Sequence, residues 1–266
     1  MQNKHTFVVL AYKESPFLED CIQSLLKQTV KSEIILATAT PNAFIEQIAK
    51  KYDLQIKINK GEKGLAPDWN FALRQAATSY VTLAHQDDIY LPTYTAEMLR
   101  DVQQNPDFLL KFCDYQEIYH GLQETRVRTW TLNLLIKRII ILLNFFTSSA
   151  ISTKAAKKRF LRFGSPIPCP SVMYNLDCIG DFAFSSDYRI NADWIAWIDL
   201  AGKSGAFLKS SKILMQHRIH AGSETTRGLQ DHIRQDEDLI CFAKLWPKKL
   251  VKIFYKLYSI SYMTNS

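Results

Sequence analysis

The feature that most constrains the fold of this chain is a regular alternation of β-rich and helical segments within its first 85 residues. Short apolar segments rich in β-branched and aromatic residues lie at 6–12, 33–38, 54–58 and 79–85. Segments with helical periodicity separate them, at 15–28, 40–52 and 67–77. Strands and helices that alternate across short connections form a parallel sheet with helices on both faces. The sequence therefore predicts an α/β protein with a mostly parallel sheet.

The second half of the chain is less regular, but individual elements can still be assigned. We expect helices at 91–106 and 191–205, a strand at 107–119, two edge strands within 206–220, and helices divided by Pro247 within 228–262. Residues 130–150 are apolar, but Asn133, Lys137, Arg138 and Asn144 interrupt them. Their longest uninterrupted apolar run is far below the roughly 20 residues that cross a bilayer. This segment is either a helix packed on the domain or one that enters a membrane surface.

Composition narrows the class of protein. At 266 residues, with 47% hydrophobic and 22% charged residues, the chain is typical of a globular protein with a substantial core. Five scattered cysteines without a CxxC pair favour reduced thiols and argue against a structural zinc site. The N-terminal segment has no signal-peptide pattern, so the sequence predicts a cytoplasmic protein.

The net charge of +7 is concentrated at the C-terminus, where residues 239–266 contain five lysines and no acidic residue. Within 247–262, lysines recur every four residues on one helical face, while apolar side chains share another face. This pattern is typical of a helix that lies on an anionic membrane surface. The alternative is that the apolar face packs on the domain and the lysines are solvated. No pattern indicates a nucleic-acid partner.

Two candidate sites follow strands of the predicted sheet. Tyr12 and Glu14 come after the first strand, while Asp87 and Asp88 come directly after the fourth. Ligands of such sheets bind at the carboxyl ends of the strands. Two adjacent carboxylates repel each other unless water or a cation surrounds them, so a divalent cation is a candidate ligand. The alternative is an acidic start of the following helix.

The order and spacing of five motifs resemble the family-2 inverting glycosyltransferases of GT-A fold, from about residue 6 to about residue 222. The motifs are "TFVVLAYKESPFLEDCIQSLLKQ", "GEKGLAPDWNFAL", "LAHQDDIYLP", "NADWIAWIDLAGKSGA" and "MQHRIHAGS". The resemblance implies a Rossmann-like GT-A domain at 1–222, with a nucleotide-sugar half at about 1–118 and an acceptor half at about 119–222. Residues 223–266 would form a helical, basic and aromatic C-terminal extension.

The resemblance also implies a reaction, in which an acceptor hydroxyl attacks the anomeric carbon of a nucleotide-diphospho-sugar with inversion. Mn²⁺ or Mg²⁺ would be held by Asp87 and His220, and Asp193 would be the catalytic base. Contacts to the nucleotide sugar would come from Ala11, Tyr12, Glu14, Thr38, Asn70, Gln86, Asp87 and Asp88. The acceptor would be a glycan or a lipid-linked glycan in cell-surface polysaccharide assembly, which places the enzyme in the cytoplasm or on the inner face of the membrane.

Four features depart from the family pattern, one of them Trp69, which stands where an Arg often precedes the helix Asn. The second strand ends in "ILATATPN" without an acidic residue, so Thr38 or Thr40 would have to contact the base. His85 replaces the first Asp of the metal motif, and Ala192 replaces one member of the acidic pair. We expect the remaining Asp193 to be ionised, because a helix N-terminus lowers the pKa of a carboxyl group. Asp181 and Asp187 are competing candidates for the base.

Two other functions remain open from the sequence. One is a catalytically silent binding or scaffold subunit that keeps the cleft, since the acid at the end of the second strand and one member of the acidic pair are missing. The other is a sugar nucleotidyltransferase, which shares the sheet type but would need a glycine- and arginine-rich loop after the first strand. That loop is absent from "AYKESP".

Overall fold

The computed structural model describes residues 4–120, 125–220 and 233–259. Their strands are β1 His5–Leu10, β2 Glu33–Thr38, β3 Gln55–Ile58, β4 Tyr80–His85, β5 Ile89–Tyr90, β6 Leu110–His120, β7 Thr125–Arg128, β8 Ala150–Ile151, β9 Val172–Asn175 and β10 Phe207–Ile219. Their helices are α1 Leu18–Leu26, α2 Ala43–Lys51, α3 Leu65–Leu73, α4 Tyr94–Leu99, α5 Leu132–Phe145, α6 Lys154–Phe160, α7 Leu176–Ile179, α8 Ala192–Ala201, α9 Ile233–Leu245 and α10 Lys248–Ser259. The predicted α/β class is confirmed.

One sheet runs through the described part of the chain, in the order β3-β2-β1-β4-β9-β6-β10-β5, with β7 beside β6 and β8 beside β10. The four strands predicted from the first half of the sequence, β1 to β4, pair in parallel. Beyond β4 the sheet is mixed, because β9 is antiparallel to both β4 and β6. The parallel half places the ends of β1 and β4 next to each other.

The expectation of two edge strands within 206–220 is wrong. Residues Phe207–Ile219 form the single strand β10, which pairs in parallel with β6 over most of its length and has register shifts between Ser210 and Met215. The short strands β5 and β8 pair with its other side. Strand β10 is therefore an inner strand, and its end reaches the same region as residues 87 and 88.

Helices cover both faces of the sheet, as predicted. Alternate side chains of β1 point to opposite faces: Val8 belongs to one buried cluster, whereas Phe7 and Val9 belong to the other. The first cluster includes buried residues of α3, α5, α6 and α8, and the second includes those of α1, α2 and α4. The two faces together hold β1 and β4 rigidly beneath the site.

The C-terminal helices α9 and α10 are divided at Pro247, as predicted, and they pack on the first of these clusters. Cys241 and Phe242 of α9 and Val251 of α10 are buried in it. Phe242 makes an edge-to-face contact with Trp194 of α8, with ring centroids 5.4 Å apart.

The division of the chain at residue 222 stays a prediction. Among the described helices, none combines the length and apolar character needed to cross a bilayer.

Candidate active site

The candidate site lies at the carboxyl ends of β1 and β4. Leu10 pairs with His85, so the residues that follow the two strands leave the sheet side by side. The Gln86 amide bonds both backbone groups of Tyr12: it accepts from the N–H at 2.9 Å and donates to the carbonyl at 3.1 Å. The predicted nucleotide residues Tyr12 and Gln86 are therefore brought together, and Tyr12 keeps an exposed ring.

Asp88 is fully buried and is held by the end of β10. Its Oδ1 accepts the backbone N–H of Arg218 at 2.9 Å and lies 2.9 Å from Nδ1 of His217. Burial lowers the pKa of His217, but the neighbouring Asp88 carboxylate outweighs burial, so the pKa is raised overall. A buried charge paired in this way ties the loop after β4 to β10.

Asp87 is the more accessible of the two carboxylates. Its Oδ2 lies 3.0 Å from Nε2 of His220, and its carbonyl accepts from Nε of Arg218 at 2.8 Å. Burial raises the pKa of Asp87, but the His220 hydrogen bond and the charge of the nearby His217 ring help to outweigh that effect, so the pKa is lowered overall. Asp87 therefore stays ionised at neutral pH, as a metal ligand must be.

Arg218 connects this region to the first helix. The side chain is almost completely buried, with its guanidinium over the Phe17 ring at 4.3 Å and Nη2 3.3 Å from Oδ2 of Asp20. Together with its bond to the Asp87 carbonyl, these contacts hold the loop after β4 against α1. Sequence reasoning did not assign this role to Arg218, although the residue lies within the "MQHRIHAGS" motif.

His85, Asp87 and Asp88 form a group that fits a divalent cation. One donor atom from each lies within 4.8 Å of the other two. Within the described residues, the buried atoms Nε2 of His85 and Oδ2 of Asp88 have no hydrogen-bond partner. Burial also lowers the pKa of His85, so its ring is neutral and able to ligate. Orphaned buried atoms of this kind indicate an absent ligand or water.

His85 was not predicted as a ligand, although its position in the metal motif was the signal that could have identified it. His220, which was predicted as one, contacts Asp87, and its ring lies tilted against that of Phe17 with centroids 5.1 Å apart. Direct metal ligation by His220 stays a prediction.

The predicted base, Asp193, lies in the first turn of α8, where its Oδ1 accepts the N–H of Trp194 at 2.6 Å. The expectation that the helix N-terminus lowers its pKa is wrong. Burial raises the pKa to about 6, and the backbone bond and the charges of Lys137 and Arg234 offset only part of that effect. For this carboxylate, desolvation by burial outweighs the effect of the helix dipole.

Helix α9 holds the start of α8 through two acidic side chains that sequence reasoning missed. The Glu237 carboxylate accepts the N–H groups of Arg189, Ile190 and Asn191 at 2.7, 2.9 and 2.7 Å. Asp238 accepts the Asn191 amide at 2.7 Å. These bonds fix the backbone that leads into Asp193, and no local sequence signal identifies them because the partners are more than 40 residues apart.

A chain of contacts runs from the candidate metal ligands His85, Asp87 and Asp88 towards Asp193. The His217 ring lies 6.1 Å from that of Tyr115, whose hydroxyl accepts from Nζ of Lys137 at 2.9 Å. The positive charge of Lys137 acts on groups at both ends of this chain of contacts, since it lowers the pKa of Asp193 and also that of His217. Burial is the main cause that raises the pKa of the Cys169 thiol, and the carboxylates of Asp193 and Asp88 raise it further. Asp88 and Asp193 are thus both close enough to Cys169 to act on its pKa, while a cleft shared by the two centres stays a prediction.

The remaining predicted residues have other contacts: Ala11, Glu14 and Thr38 lie at or after the ends of β1 and β2, whereas Asn70 lies in α3. Ala11 is buried and donates its N–H to the Ala37 carbonyl at 2.9 Å, and Glu14 is exposed. Thr38 is buried, and its Oγ1 accepts the Thr40 N–H at 3.0 Å. Asn70 bonds the N–H and carbonyl of Phe184, which orients the loop before α8. Nucleotide contact by these four residues stays a prediction.

A parallel half-sheet that continues into antiparallel strands, with paired carboxylates where the two halves meet, is the arrangement of GT-A glycosyltransferases. The sequence profile described as "Glycosyl transferase family 2" matches residues 6–161, more than half of the chain. The chain belongs to this family.

Individual relatives agree with this assignment. Over 106 residues the chain is 31% identical to the "uncharacterized glycosyltransferase EpsJ" of Bacillus subtilis (strain 168), a match that covers 38% of this chain and 30% of that protein. The chain thus spans under a third of the length of this curated relative. S. aureus TarS 1–349 with UDP-GlcNAc superposes with a TM-score of 0.65 at 13% identity, covering 96% of this chain and 71% of TarS. The mannosyltransferase PcManGT of Pyrobaculum calidifontis, with GDP-Man and Mn²⁺, gives 0.59 at 14% identity, covering 96% and 69%.

Proposed function

We propose that this protein transfers a sugar from a nucleotide-diphospho-sugar to an acceptor hydroxyl, with inversion and with the help of a divalent cation. The observation that carries the proposal is the group His85, Asp87 and Asp88 at the carboxyl edge of β4, with two orphaned buried ligand atoms. A hard cation such as Mn²⁺ or Mg²⁺ accepts these donors and phosphate oxygens together, and it would neutralise charge on the leaving diphosphate.

Asp193 serves as the base in this proposal. A general base works best when its pKa lies close to the working pH, and the pKa of Asp193 is about 6. At pH 7 about nine carboxylates in ten are then ionised, and each can take the proton of an acceptor hydroxyl. Inversion follows from direct displacement, in which the hydroxyl attacks from the side opposite the diphosphate. Lys137 and Arg234 keep the pKa of Asp193 from rising further.

The donor class is supported by the family and by the solved structures of similar fold. TarS was solved with UDP-GlcNAc, and PcManGT with GDP-Man and Mn²⁺. For this chain we propose a nucleoside-diphospho-sugar, with Tyr12 and Gln86 at the nucleotide and Ala11, Glu14 and Thr38 close by. The proposed acceptor is a glycan or lipid-linked glycan in cell-surface polysaccharide assembly, and residues 119–222 would form its side of the cleft.

We propose that the protein works in the cytoplasm at the inner membrane face, with residues 247–262 as one contact. Residues 260–262 lie outside the described part of the chain. In α10, Val251 is buried and Tyr258 contacts Trp194, which supports packing on the domain. The other side of α10 exposes Lys248, Lys252 and Lys256. Basic residues in such a position strengthen attachment to anionic lipid.

Thermal unfolding with UDP or GDP, each with and without Mn²⁺, tests the proposal. A ligand that binds only the folded state raises the unfolding temperature, so a nucleotide at about 100 times its dissociation constant adds about 2.7 kcal/mol. Asp87→Asn should abolish the part of this stabilisation that depends on Mn²⁺. The matched control is Asp53→Asn, because Asp53 is exposed and has a left-handed backbone (φ 52°) that asparagine adopts readily.

Two outcomes decide the metal role, and a third decides between the proposed functions. Loss of the Mn²⁺-dependent stabilisation in Asp87→Asn, with the control unchanged, supports the metal role. Equal stabilisation of wild type and Asp87→Asn by nucleotide with Mn²⁺ would refute it. Donor binding without any transfer to glycan acceptors would instead favour a silent binding subunit, a function that the replacement of an acid by Ala192 leaves open.

A further inference from the structure

Helix α5 has an outward apolar face that no described residue covers. Its six side chains are between 42% and 73% exposed and follow the spacing of one helical stripe: Leu132, Leu135, Ile136, Ile139, Leu142 and Leu143. The opposite face is packed, with Leu134 and Phe145 buried in the core. At the C-terminal end, Phe146 extends the apolar face with a ring that is 76% exposed. A contiguous exposed patch of this kind marks an interaction surface.

The exposed charged side chains at the two ends of this face are basic, although Arg138 on α5 pairs with Asp114 at 2.8 Å and Lys157 on α6 is buried. Residues 125–176 contain nine lysines and arginines and no acidic residue. Near the C-terminal end of α5, Arg159 donates to the Asn144 side chain at 3.2 Å, and Lys154 and Lys158 on α6 are exposed. Near the N-terminal end, Arg128 is exposed, and the exposed Trp130 ring stacks on Arg138 at 4.7 Å. Apolar side chains bordered by basic and aromatic ones match the boundary between lipid headgroups and acyl chains.

A second copy of this chain fits the face poorly. Basic side chains lie near both ends of α5, so a two-fold contact would bring positive groups together whether the paired helices ran parallel or antiparallel. Helix α5 is also too short to cross a bilayer, because its 14 residues span about 21 Å. The geometry therefore favours a helix that lies in the plane of the membrane surface.

We propose that α5 docks the protein on anionic phospholipid, with its apolar face in the boundary between headgroups and acyl chains. This surface is distinct from residues 247–262, and the inference does not depend on the sugar-transfer reaction. Docking by α5 would also affect the candidate active site. The inward face of the same helix carries Lys137, whose charge acts on Asp193. Docking by α5 would place the acceptor side of the cleft next to the lipid surface.

The test is co-sedimentation of the full chain with vesicles of phosphatidylcholine alone or with phosphatidylglycerol added. The variant is Ile139→Gln with Leu143→Gln, which changes two exposed positions one helical turn apart on α5. The matched control is Leu26→Gln with Val30→Gln, two apolar residues of 38% and 41% exposure at the end of α1 and beyond it. Thermal unfolding and nucleotide stabilisation establish that every variant is folded.

We expect wild type and control to bind the phosphatidylglycerol vesicles equally. The α5 variant should bind them roughly ten- to a hundredfold more weakly, because two apolar side chains no longer enter the lipid. A third variant, Lys248→Gln with Lys252→Gln and Lys256→Gln, separates the contribution of α10 and should leave the effect of the α5 changes intact. Equal binding by the α5 variant and wild type would overturn the proposal.

A wild-type protein that binds neither vesicle would also overturn it. So would a dimer in sedimentation that the α5 changes dissociate, since a second copy would then cover the face. Because nucleotide stabilisation is measured on the same samples, failure of membrane docking is distinguishable from failure of the proposed transferase function.

Discussion

Replacing Asp193 with asparagine should remove activity and make the protein more stable at neutral pH. The pKa of Asp193 is about 6 in the folded protein, against an ordinary value of 3.8. At a pH below 3.8 the carboxyl is neutral in both states and has no effect on stability. Between pH 4 and pH 6 the unfolded chain ionises first, so the folded state loses stability as pH rises, and the loss is complete above about pH 6.

The size of this effect follows from the difference in pKa. About two pKa units correspond to at most about 3 kcal/mol, and contact of the carboxylate with solvent reduces that figure. Asparagine is neutral at every pH, and its Oδ1 can still accept the N–H of Trp194. The Asp193→Asn variant should therefore gain up to about 3 kcal/mol at pH 7 but only about 0.5 kcal/mol at pH 4. The gain at pH 7 corresponds to a rise of up to about 6 °C in unfolding temperature for a chain of this size.

Unfolding curves of wild type and variant at pH 4, 5, 6 and 7 measure this difference, and transfer assays at pH 7 measure the activity. The matched control is Asp199→Asn on the same helix, because Asp199 is half-exposed and pairs with Lys244 at 3.7 Å. An exposed pair of this kind contributes under about 1 kcal/mol. Equal stability of Asp193→Asn and wild type at every pH would refute the argument from burial, and transfer at the wild-type rate would exclude Asp193 as the base.

Two further changes probe the groups around Asp193. Lys137→Met removes a positive charge that lowers the pKa of Asp193, so the acidic limb of kcat/KM against pH should move up by as much as about one unit. A limb that stays in place would show that Lys137 does not act on the base. Glu237→Gln weakens the carboxylate that accepts three N–H groups before α8 and should cost about 1 to 3 kcal/mol of stability in urea unfolding. It should lower kcat more than it changes KM for the donor, and a change in KM alone would contradict a role in positioning Asp193.

The sequence by itself determined the local structure and the family of this protein. Strands β1 to β4 and the helices between them follow from patterns within a few residues, because periodicity and capping are local properties. The same holds for the break at Pro247 and for the carboxylates after the fourth strand. The order of the motifs was enough to indicate a family-2 glycosyltransferase, and the family match over residues 6–161 confirmed it.

Tertiary structure decided which distant groups meet and what charge they carry. The segment after residue 206 was expected at a sheet edge, but pairing with β6 makes it an inner strand that carries His217 and Arg218 to Asp88. The N-terminal position of Asp193 in α8 predicted a lowered pKa, whereas burial raised it. Desolvation depends on everything that surrounds a group, so no local pattern reveals it. The roles of Lys137 and Glu237 likewise come from partners that only the folded chain brings together, since the energies involved depend on distance in space.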